Sequence, residues 1–147
     1  MEMDAVPDLE ALLLLLRRHE VRYLVIGGLA FIYHARPRYT KDMDLWIDPS
    51  PGNVERANAA LAEFGSPYLL VVAEPEEILQ IGLLPNRIDP LRVVEGPGFD
   101  RAGKRRIQGQ YGRAEVNCID LDCLVEINSR IAYRRPQRAV RAHSGGA

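Results

Sequence analysis

Apolar and polar positions change period several times along this chain, and each change marks an element. Pro7 and Asp8 open an amphipathic helix that runs through about residue 19. Asp8 and Glu10 sit where the positive end of its dipole favours acids. Tyr23-Leu24-Val25-Ile26 is a short apolar run of strand character, turned by Gly27-Gly28, and residues 29–34 read as a second helix that Ala35-Arg36-Pro37-Arg38 breaks. Residues 42–48 then alternate: Met43, Leu45 and Ile47 on one side, Asp42, Asp44, Trp46 and Asp48 on the other. Pro49-Ser50-Pro51 starts a helix that reaches Phe64 and closes at Gly65. Strands are expected near 68–72, 78–83 and 87–94, a helix over 98–105, two more strands near 105–110 and 114–119, and a last helix from Asp120. Strands in pairs with helices between them predict an α+β fold, with a mixed or antiparallel sheet flanked by helices.

Length and composition narrow this further. A chain of 147 residues, 47% hydrophobic and 27% charged, suits one domain with one core. Its net charge of −1 predicts no general affinity for polyanions, but the charge is unevenly spread. After Glu126 there is no acid, while Arg130, Arg134, Arg135, Arg138 and Arg141 follow. The chain therefore divides into a domain over 1–128 and an arginine-rich tail over 129–147, read either as a solvated terminus or as a contact for an anionic partner. Cys118 and Cys123 do not have zinc-ligand spacing and read as two reduced thiols of a cytoplasmic protein. Residues 12–16 are far too short an apolar run to cross a membrane, and no membrane partner is expected.

The chemistry concentrates in one stretch. Gly27 and Gly28 stand where a strand hands over to a helix, which lets the backbone approach a phosphate closely; a plain tight turn would explain them alone. Thirteen residues lie between Gly28 and Asp42. Asp42 and Asp44, at i and i+2 on a strand, share a face. Side by side they repel, and a hard cation between them relieves the repulsion. Mg²⁺ or Mn²⁺ suits such oxygen ligands. Asp89 is a third carboxylate candidate, followed by Pro90, which favours a sheet edge or a bulge. Arg38, Thr40 and Lys41 lie just before the acids, where cations suit phosphate. Asp48 reads as a turn residue before Pro49.

Gly27-Gly28, the spacer and Asp42-Met43-Asp44-Leu45 together resemble the signature of the polymerase-β-like nucleotidyltransferase superfamily. The stretches GGLAFIYHARPRYTKDMDLWI and LQIGLLPNRIDPLRVVEGPGFDRA are similar to those of its small bacterial members of toxin–antitoxin type, and the likeness covers roughly residues 8 to 128. The resemblance implies the polymerase-β-like fold. It also implies metal on Asp42, Asp44 and Asp89, with Asp89 as general base, and a triphosphate against Gly27, Gly28, Arg38, Thr40 and Lys41. His34 would hold a helix terminus. The C-terminal run departs from the resembled pattern: Ser129 stands in place of Lys, Tyr133 in place of Gly and Arg138 in place of an acid.

The expected activity is transfer of a nucleoside monophosphate from a nucleoside triphosphate, such as ATP, to a hydroxyl on tRNA, protein or a small molecule. The alternative is a nucleotide-binding module of the same fold with impaired turnover, paired with an antitoxin or another protein partner.

Overall fold

The computed structural model describes residues 2–3, 7–26, 42–82, 87–133 and 140–142; of residues 2–3, 7–8, 42, 128–133 and 140–142 it describes the backbone alone. Helix α1 (Pro7–Arg18) buries Leu9, Leu12, Leu13 and Leu16 almost completely. Their spacing draws a single stripe down one side of a helix. That stripe packs on helix α2 (Pro51–Phe64), which offers Val54, Ala57, Ala60 and Leu61. The small Ala57 and Ala60 side chains let the two helices approach closely. Gly65 ends α2 at φ 96°, a left-handed conformation that glycine adopts without a Cβ penalty, and its N–H and that of Ser66 both cap the Leu61 carbonyl.

Both helices cover one face of a mixed sheet. Its strands are β1 (Glu2–Met3), β2 (Tyr23–Ile26), β3 (Asp42–Ile47), β5 (Arg87–Leu91), β6 (Ile107–Tyr111) and β7 (Ala114–Cys118), in the order β1-β6-β7-β2-β3-β5. Strands β4 (Ile78–Gln80) and β8 (Val140–Ala142) form a separate parallel pair. On the opposite face lies the short helix α3 (Phe99–Lys104), and helix α4 (Leu121–Tyr133) follows β7. This is the α+β architecture with a mixed sheet that the alternation of strands and helices predicts. Among the described residues no helix is long and apolar enough to cross a membrane.

The α4 N-terminus rests on Asp120. Burial alone would raise its carboxyl, but hydrogen bonds from Cys123 and Arg105 outweigh burial and hold it below the ordinary value. Cys118 and Cys123 are free thiols, and burial pushes them up to about 12 and about 11, so both stay protonated at neutral pH.

Three sequence expectations need correction. Residues 68–72 form no strand. Their backbone groups are taken by side chains instead. Asn58 clasps Leu70 from both sides, donating to its carbonyl at 2.9 Å and accepting its N–H at 2.7 Å. Ser66 accepts the Tyr68 N–H, and buried Arg92 donates to the carbonyls of Val71 and Glu74 at 2.8 and 2.6 Å. With those groups satisfied, the segment has no need of a strand partner. Of the strand expected over 78–83, the described residues form Ile78–Gln80, continued by a single bridge from Ile81 to Ile88, and residue 83 lies outside them. The strand expected over 87–94 stops at Leu91. The helix expected over 29–34 lies outside the described residues. At the other end of the chain α4 runs across residue 128, and Val140, Arg141 and Ala142 pair with Ile78, Leu79 and Gln80.

Candidate active site

The site grows from two neighbouring parallel strands. Strand β3 pairs with β5 without a break, from Asp42 opposite Arg87 to Trp46 opposite Leu91. Asp44 stands directly opposite Asp89 in this register. Side chains of paired residues point to the same face. One face of the ladder therefore carries Asp44 and Trp46 from β3 and Arg87, Asp89 and Leu91 from β5, while Asp42 is placed by its backbone alone, opposite Arg87. On the other side of β3, Ile26 of β2 pairs with Asp44 and Leu24 with Trp46. Ile26, the last residue of β2, is thus the immediate neighbour of the second aspartate.

Pro90 does not displace Asp89. Ile88 exchanges hydrogen bonds with Ile81, its N–H reaching the Ile81 carbonyl at 2.9 Å. The N–H of Ile88 therefore points away from β3, and the N position of Pro90, two residues on, does the same. The proline ring removes a donor from the side of β5 that faces away from the aspartates. β5 is the last strand of the six-stranded sheet, which is where a proline fits.

Asp89 is 7% exposed, and Asp44 is partly buried. Two carboxylates opposed in a ladder repel. The Arg87 Nε lies 3.0 Å from Asp89 Oδ1, so a guanidinium two residues earlier on the same strand face offsets that repulsion. Sequence reasoning gave Arg87 no role of its own. The signal was present in the i, i+2 spacing of Arg87 and Asp89, which repeats on β5 the geometry that singled out Asp42 and Asp44 on β3.

The far half of the same face is closed. Trp46 is 2% exposed and meets Phe99 edge-on, with ring centroids 5.2 Å apart and planes at 81°. Arg22 lies over the Phe99 ring, 5.4 Å from its centroid, and pairs with Asp48 at 2.7 Å. Asp48 also accepts the Ser50 N–H at 3.1 Å, the bond of an Asx turn. Helix α3 thus seals the face from Trp46 onward. Asp44 and Asp89 stand two residues before Trp46 and Leu91 on their strands, beyond this aromatic lid.

Of the residues singled out in the sequence, the structure brings Asp44 and Asp89 together as neighbours and sets the backbone of Asp42 opposite Arg87. Gly27, Gly28, His34, Arg38, Thr40 and Lys41 lie outside the described residues. Among the described residues no group of three or more His, Cys, Asp or Glu side chains forms a metal site, and the Asp42 side chain is not one of them. The donor set that is described consists of two adjacent carboxylates on one face. Hard oxygen ligands of this kind fit Mg²⁺ or Mn²⁺.

The mixed sheet with helices on both faces is a nucleotidyltransferase-like fold by its likeness to a solved structure. The crystal structure of a candidate nucleotidyltransferase from Thermotoga maritima, TM1012, is similar to this chain with a TM-score of 0.59, over 89% of this chain and 88% of that one. The two share 14% of their residues, so the likeness is one of fold. No protein-family profile matches the chain, and no curated protein matches it by sequence.

Proposed function

We propose that this protein is a metal-dependent nucleotidyltransferase, acting on a nucleoside triphosphate and a hydroxyl acceptor. The observation that carries this reading is the register of β3 and β5, which makes Asp44 and Asp89 direct neighbours on a face where the Asp42 position is also aligned. Asp42, Asp44 and Asp89 would hold Mg²⁺ or Mn²⁺. Such an ion, when bound, supplies neutralising charge to the triphosphate and lowers the pKa of an acceptor hydroxyl. Asp89, buried and ion-paired with Arg87, would receive the acceptor's proton. Gly27, Gly28, Arg38, Thr40 and Lys41 are assigned to the phosphates on the strength of their place in the sequence, between the end of β2 and the start of β3. The acceptor belongs to the class of RNA, protein or small-molecule hydroxyls.

A second reading has its own support. The Arg87–Asp89 ion pair occupies a carboxylate that metal would require. A chain in which that pair persists would bind a nucleotide without turnover, as a sensor or as one member of a toxin–antitoxin pair. The departures at Ser129, Tyr133 and Arg138 point the same way.

One experiment separates the two. The protein is incubated with each α-labelled nucleoside triphosphate, Mg²⁺ or Mn²⁺, and bulk tRNA or cell lysate. Label transfer that Asp44→Asn abolishes supports the enzyme. Metal-dependent nucleotide binding with no label transfer to any fraction favours the binding module.

A further inference from the structure

A cavity of about 470 Å³ lies away from the acids, in the opening between β2 and β7 and beneath α3. Its origin is a short ladder. β2 and β7 run parallel but share a single register pair, Val25 opposite Cys118. Toward the start of both strands they separate. The Tyr23 hydroxyl spans the gap, accepting the Asn117 N–H at 3.3 Å in place of a β2 carbonyl. Its own O–H is left to donate. The Gln108 amide donates to the Asn117 side chain at 3.3 Å beside it. The side of the cavity along β7 and β6 therefore carries neutral hydroxyl and carboxamide groups, with Tyr23 buried and Gln108 exposed, which can both give and accept hydrogen bonds.

The rim is cationic. Arg17, Arg22, Lys104 and Arg106 line the cavity against Glu20 and Glu115, an excess of two positive charges. The first 126 residues of the chain carry six more acids than bases, so this concentration runs against the surrounding charge. Arg17 is engaged with Glu115 at 3.0 Å, and Arg22 with Asp48 and Asp100. Lys104 and Arg106 are exposed and have no carboxylate partner among the described residues. The Arg106 guanidinium donates to the Gly103 carbonyl at 2.9 Å, which holds it at the end of α3 next to Lys104.

We infer that this cavity is a second binding site, distinct from the Asp44–Asp89 face, for a phosphate-bearing ligand of nucleotide size. Lys104 and Arg106 take the phosphate, and the Tyr23, Gln108 and Asn117 groups take the hydroxyl or base edges behind it. The volume falls within the range of small-molecule sites, about 300–1,000 Å³. The Trp46–Phe99 contact stands between the cavity and the acids: Phe99 lines the cavity and Trp46 shares the face of Asp44. The ligand is therefore bound without any metal held by the acids. The phosphate comes either from a free mononucleotide or from a nucleic-acid backbone, and the two sources share this chemistry.

The test is calorimetric titration of the full chain in EDTA, which silences a metal-dependent site. The probes are adenosine monophosphate, adenosine and a ten-nucleotide single-stranded RNA. The expected result is binding of the monophosphate or the RNA, weakened at least tenfold by Lys104→Ala with Arg106→Ala and unchanged by Asp44→Asn. Adenosine, lacking the phosphate, should bind at least tenfold more weakly than its monophosphate if the mononucleotide is the ligand. Arg18→Ala, which removes an exposed cation elsewhere, should have no effect. Binding of the RNA alone, lost in the double variant, assigns the phosphate to a nucleic-acid backbone. Binding that survives the double variant, or no binding of either phosphate source at millimolar concentration, overturns the inference.

Discussion

Asp44 and Asp89 are chemically unremarkable apart, and their meaning comes from a register that no single strand encodes. The pair of β3 acids was legible because strand periodicity is local. That Asp89 faces Asp44, rather than lying one residue off, depended on how two separate strands dock. Arg87 shares a strand with Asp89, so their i, i+2 spacing was legible, but a cation beside a predicted metal ligand reads as surface charge until its partner is known. Replacing Arg87 by Gln leaves a buried Asp89 without its ion pair, and should cost about 1–3 kcal/mol without metal. Mg²⁺ or Mn²⁺ should restore part of that loss, because a divalent cation answers the same carboxylate. Chemical denaturation with and without 5–10 mM metal (on the order of this range) checks both effects, and a variant as stable as the parent would show that the ion pair contributes nothing. At the start of α4, Asp120 makes a different prediction. Its folded-state carboxyl is held below the ordinary value. The associated stability is fully present above the unfolded-state pKa and is lost as pH falls through the lowered folded-state value, in a window below about pH 4. Asp120→Asn should flatten the fall of melting temperature with acid in that window, while Asp120→Ala should also cost about 1 kcal/mol at neutral pH through loss of the helix cap.

Elements were legible where the pattern was strong and illegible where side chains supplied the hydrogen bonds. The helices α1 and α2 follow from a leucine stripe and from a proline start with a glycine stop. The apolar run at 68–72 has strand composition, yet its backbone is satisfied by Asn58, Ser66 and Arg92, which come from elsewhere in the chain. Asn58→Ala should therefore release this loop and destabilise the protein by about 1–3 kcal/mol, with faster amide exchange at Leu70 than at Leu45 as the local signature. Unchanged exchange at Leu70 would mean that Arg92 alone holds the segment. The C-terminal strand is a second case. Three residues after an arginine-rich stretch gave little strand signal, but β8 pairs with β4, and the Ile81–Ile88 bridge joins that parallel pair to β5. A chain ending at residue 139 should melt several degrees lower, roughly as expected for the loss of 1–2 kcal/mol in a domain of this size. It should also bind triphosphate more weakly, since β4 backs the strand that carries Asp89. Thermal melting and titration of the truncated chain test the two effects separately.

At the scale of the whole molecule, the fold was the most legible feature, because spacing and alternation each act over short stretches that the sheet merely assembles. The site was legible in its residue types and in one strand pair. The other residues proposed for it, Gly27, Gly28 and the basic residues before Asp42, lie outside the described residues, and the cavity under α3 arises from a divergence of two strands that no sequence pattern announces. The central claim is that Asp44 and Asp89 form one face at which metal and triphosphate meet. The measurement that tests it most directly is a thermal-shift matrix of the parent chain and Asp44→Asn with Mg²⁺, with each nucleoside triphosphate and with both together. The account predicts a rise for metal plus triphosphate larger than the sum of the separate rises, because each completes the other's coordination. It predicts that Asp44→Asn stays folded, within about 1 kcal/mol of the parent, since it relieves a like-charge neighbour, and that it loses the excess rise. Strictly additive shifts in the parent, or an equal excess in Asp44→Asn, would contradict it.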